Sequence, residues 1–284
     1  MKITRVGVVG CGLMGSGIAE VAARYGYQVT VREVSSEILQ QGLARIESSM
    51  QRGLQRGKFS APEHEAVRSR ITGTTKLADL AHSELVIEAV VENMELKKIV
   101  FRELDQLCPP QTVFASNTSS LSITEMASVL AHPTRLMGMH FFNPVPVMKL
   151  VELVRGLRTS EDTMTVGRGF AQSLGKTVVT CKDWPGFIVN LLLVPFLLDA
   201  VRALELGVAA KEDIDTGVTL GLAHPMGPLT LLDYVGLDTT YFIAEAMFEE
   251  TKDARYAAPP LLKQMVLAGF HGRKSGRGFY EYKK

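Results

Sequence analysis

The hydrophobic positions of this chain fall into two regimes. Through the first two thirds, short apolar runs of four to seven residues alternate with longer stretches whose apolar residues recur at helical spacing. Residues 3–9 alternate and are β-branched, which predicts a buried strand, and 17–24 then carry a helical pattern. Further strands are predicted at 28–31, 71–74, 85–90, 112–115, 136–140 and 148–154. Amphipathic helices are predicted at 35–56, 94–107 and 123–130, the second halted by Cys108-Pro109-Pro110. Strands alternating with helices predict an α/β fold, a Rossmann-like, doubly wound and mostly parallel sheet. Near Asp183-Trp184-Pro185-Gly186 the pattern changes. Helix-rich sequence follows, with predicted helices over 187–206, 211–220, 228–248 and 260–268 and a kink at Pro195. The expected organisation is a nucleotide-binding domain over 1–184 and a smaller all-α domain over 185–284. The run Leu191-Leu192-Leu193-Val194 is apolar all round, which suits a domain core or a subunit interface rather than a free surface.

Composition narrows the class. Over 284 residues, 31 basic against 30 acidic side chains leave a net charge of +1, so no basic field argues for nucleic acid. Cys11, Cys108 and Cys181 are odd in number and form no C-x-x-C pair, which suits free thiols in a reducing compartment. No His/Cys/carboxylate cluster has ligand spacing, so no metal is expected. Residues 1–19 resemble a basic and then apolar leader, but Gly7, Gly10, Gly12, Gly15 and Gly17 interrupt the run at functional spacing. A signal peptide is therefore not expected, nor is a membrane span, and a cytoplasmic location is.

The glycines read as chemistry. Gly10-Cys11-Gly12-Leu13-Met14-Gly15 joins the first strand to the first helix. In such a turn the first glycine permits the bend, the second lets backbone approach a pyrophosphate, and the third lets helix pack on strand. The helix N-terminus then presents free N–H groups to phosphate. Glu33 follows the second strand, eighteen residues after Gly15. An acidic side chain there accepts from both ribose hydroxyls and repels a 2′-phosphate, which favours NAD. Arg32 beside it is the one feature that favours NADP.

A second segment supplies a candidate base. In Met139-His140-Phe141-Phe142-Asn143-Pro144 the histidine ends an apolar run, and ligands of open α/β sheets bind outside the carboxyl ends of strands. An imidazole takes a hydroxyl proton near neutrality, and does so better when a carboxylate fixes its tautomer. Glu152 is a charge inside the apolar strand Leu150-Val151-Glu152-Leu153-Val154, and a buried carboxylate needs a partner. A turn about Pro146 would make 140 and 152 cross-strand neighbours; the spacing permits this register and others. Read by themselves, Ser119 is an N-cap candidate and Asn190 a polar residue on a helix.

With Ser119, the His140 motif, Pro185-Gly186-Phe187-Ile188-Val189-Asn190, His224-Pro225-Met226-Gly227-Pro228 and Gly272-Arg273-Lys274-Ser275-Gly276 in view, the chain resembles the 3-hydroxyacyl-CoA dehydrogenases of the 3-hydroxybutyryl-CoA type, nearly end to end. The resemblance implies NAD-dependent oxidation of a short-chain (3S)-3-hydroxyacyl-CoA, with His140 as base and Glu152 as its orienting carboxylate. Ser119 and Asn190 would contact the substrate. Glu92, Lys97, Asn143 and Lys274 would serve the cofactor beside Gly10, Gly12, Leu13, Met14, Gly15 and Glu33. Lys58, with Arg52 and Arg56, would meet the 3′-phosphate of coenzyme A, and the helical domain would form a homodimer. Lys97 and Lys274 read equally well as solvated lysines. Leu191 stands where the family usually has arginine, and Trp184 where it has a small residue; Glu33 replaces the commoner aspartate. Dehydrogenation of a free 3-hydroxy acid or sugar acid, or dinucleotide binding without turnover, are the rival readings.

Overall fold

The computed structural model describes residues 3–282. They divide into two compact units, with the boundary between Trp184 and Pro185. The first unit runs β1 (Arg5–Val9), α1 (Leu13–Arg24), β2 (Gln28–Arg32), α2 (Ser36–Gln55), α3 (Ala61–Ser69), β3 (Ile71–Thr74), β4 (Leu85–Glu88), α4 (Met94–Leu107), β5 (Val113–Ser116), α5 (Ile123–Ala127), β6 (Leu136–Phe141), β7 (Leu150–Arg155), α6 (Glu161–Ser173) and β8 (Thr177–Lys182). The eight strands form one sheet in the order β3-β2-β1-β4-β5-β6-β7-β8. The first six are mutually parallel. β7 turns back antiparallel to β6, and β8 follows β7 in parallel. The strand order reverses between β1 and β4, which pair directly, and a crevice opens at such a switch point. β4, β5 and β6 are buried along their whole length, as expected of strands covered by helices on both faces.

Three elements lie outside the sequence expectations. α3 is closed by a capping box in which the Ser60 side chain accepts from Glu63 N and the Glu63 carboxylate accepts from Ser60 N. α6 begins at the N-cap Ser160. β8 is a half-exposed edge strand, rich in β-branched residues, for which burial pattern gives little signal.

The second unit comprises α7 (Val189–Glu205), α8 (Lys211–Gly221), α9 (Pro228–Val235), α10 (Leu237–Thr251) and α11 (Pro260–Leu267). α7 stays helical through Pro195, and its Val194, Leu197, Leu198 and Val201 enter the core with Leu229, Leu232, Leu237 and Met247. The single helix expected over 228–248 is two helices. Gly236, at φ +107°, breaks it, a backbone state that side chains other than hydrogen rarely adopt. Two buried aspartates bind this unit together. The Asp215 carboxylate accepts from Leu229 N, Thr230 N, Thr230 Oγ1 and Tyr280 Oη at 2.6–3.0 Å. It caps the first turn of α9 from α8, where the N-cap Gly227 has no side chain to do so. Asp233 accepts from Phe279 N, Tyr280 N and Tyr282 Oη at 2.8–2.9 Å and fastens residues 279–282 to α9. Charged hydrogen bonds of this kind contribute about 1.5–3 kcal/mol each when a partner is lost. Asp215→Ala should therefore lower unfolding free energy by about 3 kcal/mol, while Asp199→Ala, an exposed change on α7, should cost less than about 0.5 kcal/mol. Chemical denaturation of both variants measures this.

Candidate active site

The carboxyl ends of β1, β2, β4, β5 and β6 face one edge of the sheet, and the polar residues collect there. At β1 the chain turns at Gly10, whose φ is +96° and whose N–H donates to Arg32 O at 2.9 Å. A Cβ on Gly10 would lie 2.6 Å from Ala89 O, and one on Gly15 would lie 1.9 Å from Gly10 O. Glycine is required at both for packing. Gly12 differs: a Cβ there would meet nothing within 4 Å. The turn is thus closed on the protein side and open above Gly12, at the N-terminus of α1, where a pyrophosphate would need room. Leu13 is exposed and Met14 packs partly against the core. Glu33 is held facing this turn. Its Oε1 accepts from Cys11 N at 2.5 Å and its Oε2 from Val34 N at 3.0 Å, leaving lone pairs on a fixed carboxylate. The donor set and the open cradle fit a dinucleotide. The Arg32 Nε is buried without a hydrogen-bond partner among the described residues. Cys11 is fully buried against Gly42, and burial, with the Glu33 charge adding to it, pushes its thiol up to about 11.

Beneath the next strand ends lies a buried charge network. Glu88, the last residue of β4, is fully buried. Its Oε1 accepts from Lys97 Nζ at 2.7 Å and Val90 N at 2.7 Å, and its Oε2 from Ser116 Oγ at 2.6 Å. Lys97, on α4, is only 1% exposed and also reaches Glu92 Oε2 at 3.3 Å. The Glu92 carboxylate in turn accepts from Thr118 Oγ1 at 2.5 Å and Ser119 N at 2.9 Å. Lys97 is therefore no solvated lysine; two carboxylates enclose it, as a buried ammonium requires. Glu92 and Ser119 are brought together by a direct hydrogen bond. Sequence reasoning missed Glu88, Ser116 and Thr118. Residues 85–90 were read as an apolar strand, although the charge at 88 was the available signal that a partner lay nearby.

At the end of β6, His140 pairs in register with Glu152 of β7. Of the registers left open by the spacing, this is the one formed. His140 Nδ1 lies 2.7 Å from Glu152 Oε2, with His140 5% exposed and Glu152 fully buried. A carboxylate only accepts, so the pair places a proton on Nδ1. The Phe142 ring packs against the imidazole, with centroids 4.6 Å apart. Asn117 Oδ1 accepts from Phe141 N at 2.9 Å and ties the end of β5 to the strand that carries His140. Asn117 was also missed; it sits within the polar run 116–120 that follows β5.

Asn143, exposed after β6, lines a cavity of about 490 Å3 with Leu13, Gly17, Glu20, Arg45 and Pro144. Lys58 is exposed and lines an adjoining cavity of about 260 Å3 with Arg24, Arg52, Arg56 and Phe59. In the second unit, Asn190 is buried on the first turn of α7, and Lys274 is ion-paired to Asp238 at 2.6 Å. Trp184 is 56% exposed and Leu191 half-buried.

A switch-point crevice with a glycine turn and an acidic residue after β2 defines the class, a Rossmann-type dinucleotide-binding α/β protein, here followed by a helical unit. Comparison with known proteins narrows this. Residues 5–184 match the family model of the 3-hydroxyacyl-CoA dehydrogenase NAD binding domain, and residues 186–282 match that of the 3-hydroxyacyl-CoA dehydrogenase C-terminal domain. The chain is 52% identical over 282 residues to a 3-hydroxybutyryl-CoA dehydrogenase of Mycobacterium tuberculosis, covering 99% of each chain. It is 46% identical over 289 residues to the mitochondrial hydroxyacyl-coenzyme A dehydrogenase of Homo sapiens, covering 99% of this chain and 92% of that one. The crystal structure of (S)-3-hydroxybutyryl-CoA dehydrogenase from Ralstonia eutropha matches with a TM-score of 0.95 at 43% identity and full coverage of both chains. The chain belongs to the 3-hydroxyacyl-CoA dehydrogenase family, and its cofactor is NAD.

The two kinds of glycine in the turn separate binding from stability. Gly12→Ala should leave the melting temperature near that of the parent but weaken NADH binding about tenfold, a change of ~1.4 kcal/mol. Gly15→Ala should destabilise the fold itself by about 2 kcal/mol or more through overpacking. Fluorescence titration with NADH, beside thermal melts, distinguishes them.

Proposed function

We propose that the protein catalyses the reversible, NAD-dependent oxidation of a (3S)-3-hydroxyacyl-CoA to the 3-oxoacyl-CoA, with a short acyl chain such as 3-hydroxybutyryl as substrate. The observation that carries this reading is the His140–Glu152 pair, an imidazole whose Nδ1 is committed to a buried carboxylate at the cofactor edge of the sheet. Names of relatives at 46% to 52% identity support the acyl-CoA class.

NAD, when bound, supplies the hydride acceptor for C3. Nε2 of His140 takes the proton from the C3 hydroxyl as the alcohol is oxidised and returns it in the reverse direction. Glu152 holds the ring in the tautomer that leaves Nε2 basic, and its charge stabilises the imidazolium formed at that step. The Ser119 hydroxyl is assigned to the substrate oxygen, where a donor stabilises developing negative charge. Its backbone N–H is already fixed by Glu92. Asn190 receives a matching role by resemblance to the family. Glu33 is assigned to the adenosine ribose, and Gly10, Gly12, Leu13, Met14 and Gly15 to the pyrophosphate. Glu92, Lys97, Asn143 and Lys274 are assigned to the cofactor by resemblance to the family, Glu92 towards the nicotinamide ribose. Lys58 is assigned to the 3′-phosphate of coenzyme A, with Arg52 and Arg56 lining the same cavity. Among the described residues no helix is long and apolar enough to cross a membrane. A cytoplasmic homodimer formed through the helical unit completes the proposal.

The test is steady-state oxidation of NADH with acetoacetyl-CoA, a longer 3-oxoacyl-CoA and free acetoacetate, repeated with NADPH. Turnover with the CoA esters and NADH alone is expected. Turnover of free acetoacetate at a comparable rate would overturn the acyl-CoA assignment, and NADH binding without any turnover would overturn the enzyme assignment. His140→Ala should lower kcat by about 10²- to 10⁴-fold, the usual worth of a positioned general base, with the NADH Kd nearly unchanged. An equal loss of turnover and of NADH affinity would remove His140 from the chemistry.

A further inference from the structure

The register that joins His140 to Glu152 is unusually dependent on what holds the connection between their strands. β6 ends at Phe141 and β7 begins at Leu150, so no tight two-residue turn dictates how they align. A slip of one residue would swing Glu152 to the opposite face of the sheet and away from the imidazole. Within the connection, Val147 N and Met148 N both donate to Pro144 O, which folds the loop on itself but does not attach it to the rest of the unit. Contacts from two other segments do attach it. The Val145 side chain sits against Gly17 of α1, where a Cβ would come within 3.0 Å of it. The second contact comes from Lys176, the residue immediately before β8.

Lys176 is buried, and its ammonium donates to Val145 O at 2.6 Å and to Met148 O at 2.7 Å. These carbonyls lie on either side of the loop's apex. The next residue, Thr177, donates its N–H to Lys149 O at 2.7 Å, and β8 then pairs with β7 in the register Leu150↔Thr177 and Glu152↔Val179. One short segment thus grips the loop at three carbonyls, those of Val145, Met148 and Lys149, and carries that grip directly into the strand beside Glu152. A buried ammonium must find acceptors, so the contact is specified by charge as well as by shape. Burial, with Arg24 nearby, holds the Lys176 amine below the ordinary lysine range, in keeping with an enclosed cation.

We propose that Lys176 is a positioning residue for the His140–Glu152 pair, acting through the Val145 and Met148 carbonyls that its ammonium holds. The proposal rests on the reading of that pair as the proton-transfer machinery, but its geometry can be tested independently of turnover. The Lys176 ammonium donates to the Val145 and Met148 carbonyls and not to His140 or Glu152, so its effect must travel through the loop.

The experiment follows the His140 Nδ1–H proton by NMR in the full-length protein. A proton shared between imidazole and carboxylate at 2.7 Å resonates well downfield of the amides. Lys176→Met, which keeps the stem but removes the charge and donors, should shift or abolish this resonance, and Lys176→Arg should restore it. Turnover of acetoacetyl-CoA in Lys176→Met should fall by about tenfold to a hundredfold, the scale expected when a catalytic group is displaced by up to an ångström. The same resonance and the same pH profile of kcat/KM in Lys176→Met as in the parent, whatever the melting temperature, would overturn the proposal. If Lys176→Met does not fold, Lys176→Gln provides the same comparison with a neutral donor. A lost resonance with unchanged turnover would uphold the positioning role and instead overturn the catalytic reading of the pair.

Discussion

A carboxylate withdrawn from water must be given donors, and this constraint organises both units of the molecule. Glu152 is fully buried and finds His140; Glu88 is fully buried and finds Lys97, Ser116 and Val90 N. Asp215 and Asp233 find backbone N–H groups and hydroxyls from segments far along the chain. In each case the acid fastens together pieces that hydrophobic contact alone would leave free to slide. The apolar core supplies most of the driving force for collapse, but that force is non-directional. The buried charges add a directional demand. Each loses its partners on a slip of one residue, at a cost of several kcal/mol.

The same devices that fix the fold therefore build the site. The network beneath the ends of β4 and β5 reaches Ser119 through Glu92, and the pairing between β6 and β7 sets the His140 imidazole. The glycine turn works by the opposite means. It has no side chains with which to make contacts, and its fit comes from what a Cβ would strike at Gly10 and Gly15 and would not strike at Gly12.

Legibility in the sequence followed the range of the interaction. The strand, glycine turn and helix at the N-terminus are contiguous, and the acidic residue that completes them lies one strand away, so the nucleotide fold could be read directly. His140 was legible because strand-end position and residue type coincide. Glu152 stood out as a charge in an apolar run, and the same reasoning applied to Glu88 would have found the second network. The break at Gly236 lay hidden because a glycine within an apolar helical pattern is often tolerated, and only its positive φ shows that the helix ends there. Asp215, Asp233 and Lys176 were beyond reach, since their partners lie 14, 46 and 31 residues away and follow no local pattern.

The attachment of residues 279–282 to Asp233 also bears on the order in which the helical unit can mature during synthesis. Asp233 leaves the ribosome 46 residues ahead of Phe279, which supplies one of its donors. Until that segment emerges, the nascent unit holds a carboxylate destined for the interior with these partners still missing. The helical unit can thus close only after residues 279–282 have been made, and every strand of the sheet precedes them in the chain. The chain's own chemistry leaves the nucleotide-binding sheet free to form before that closure.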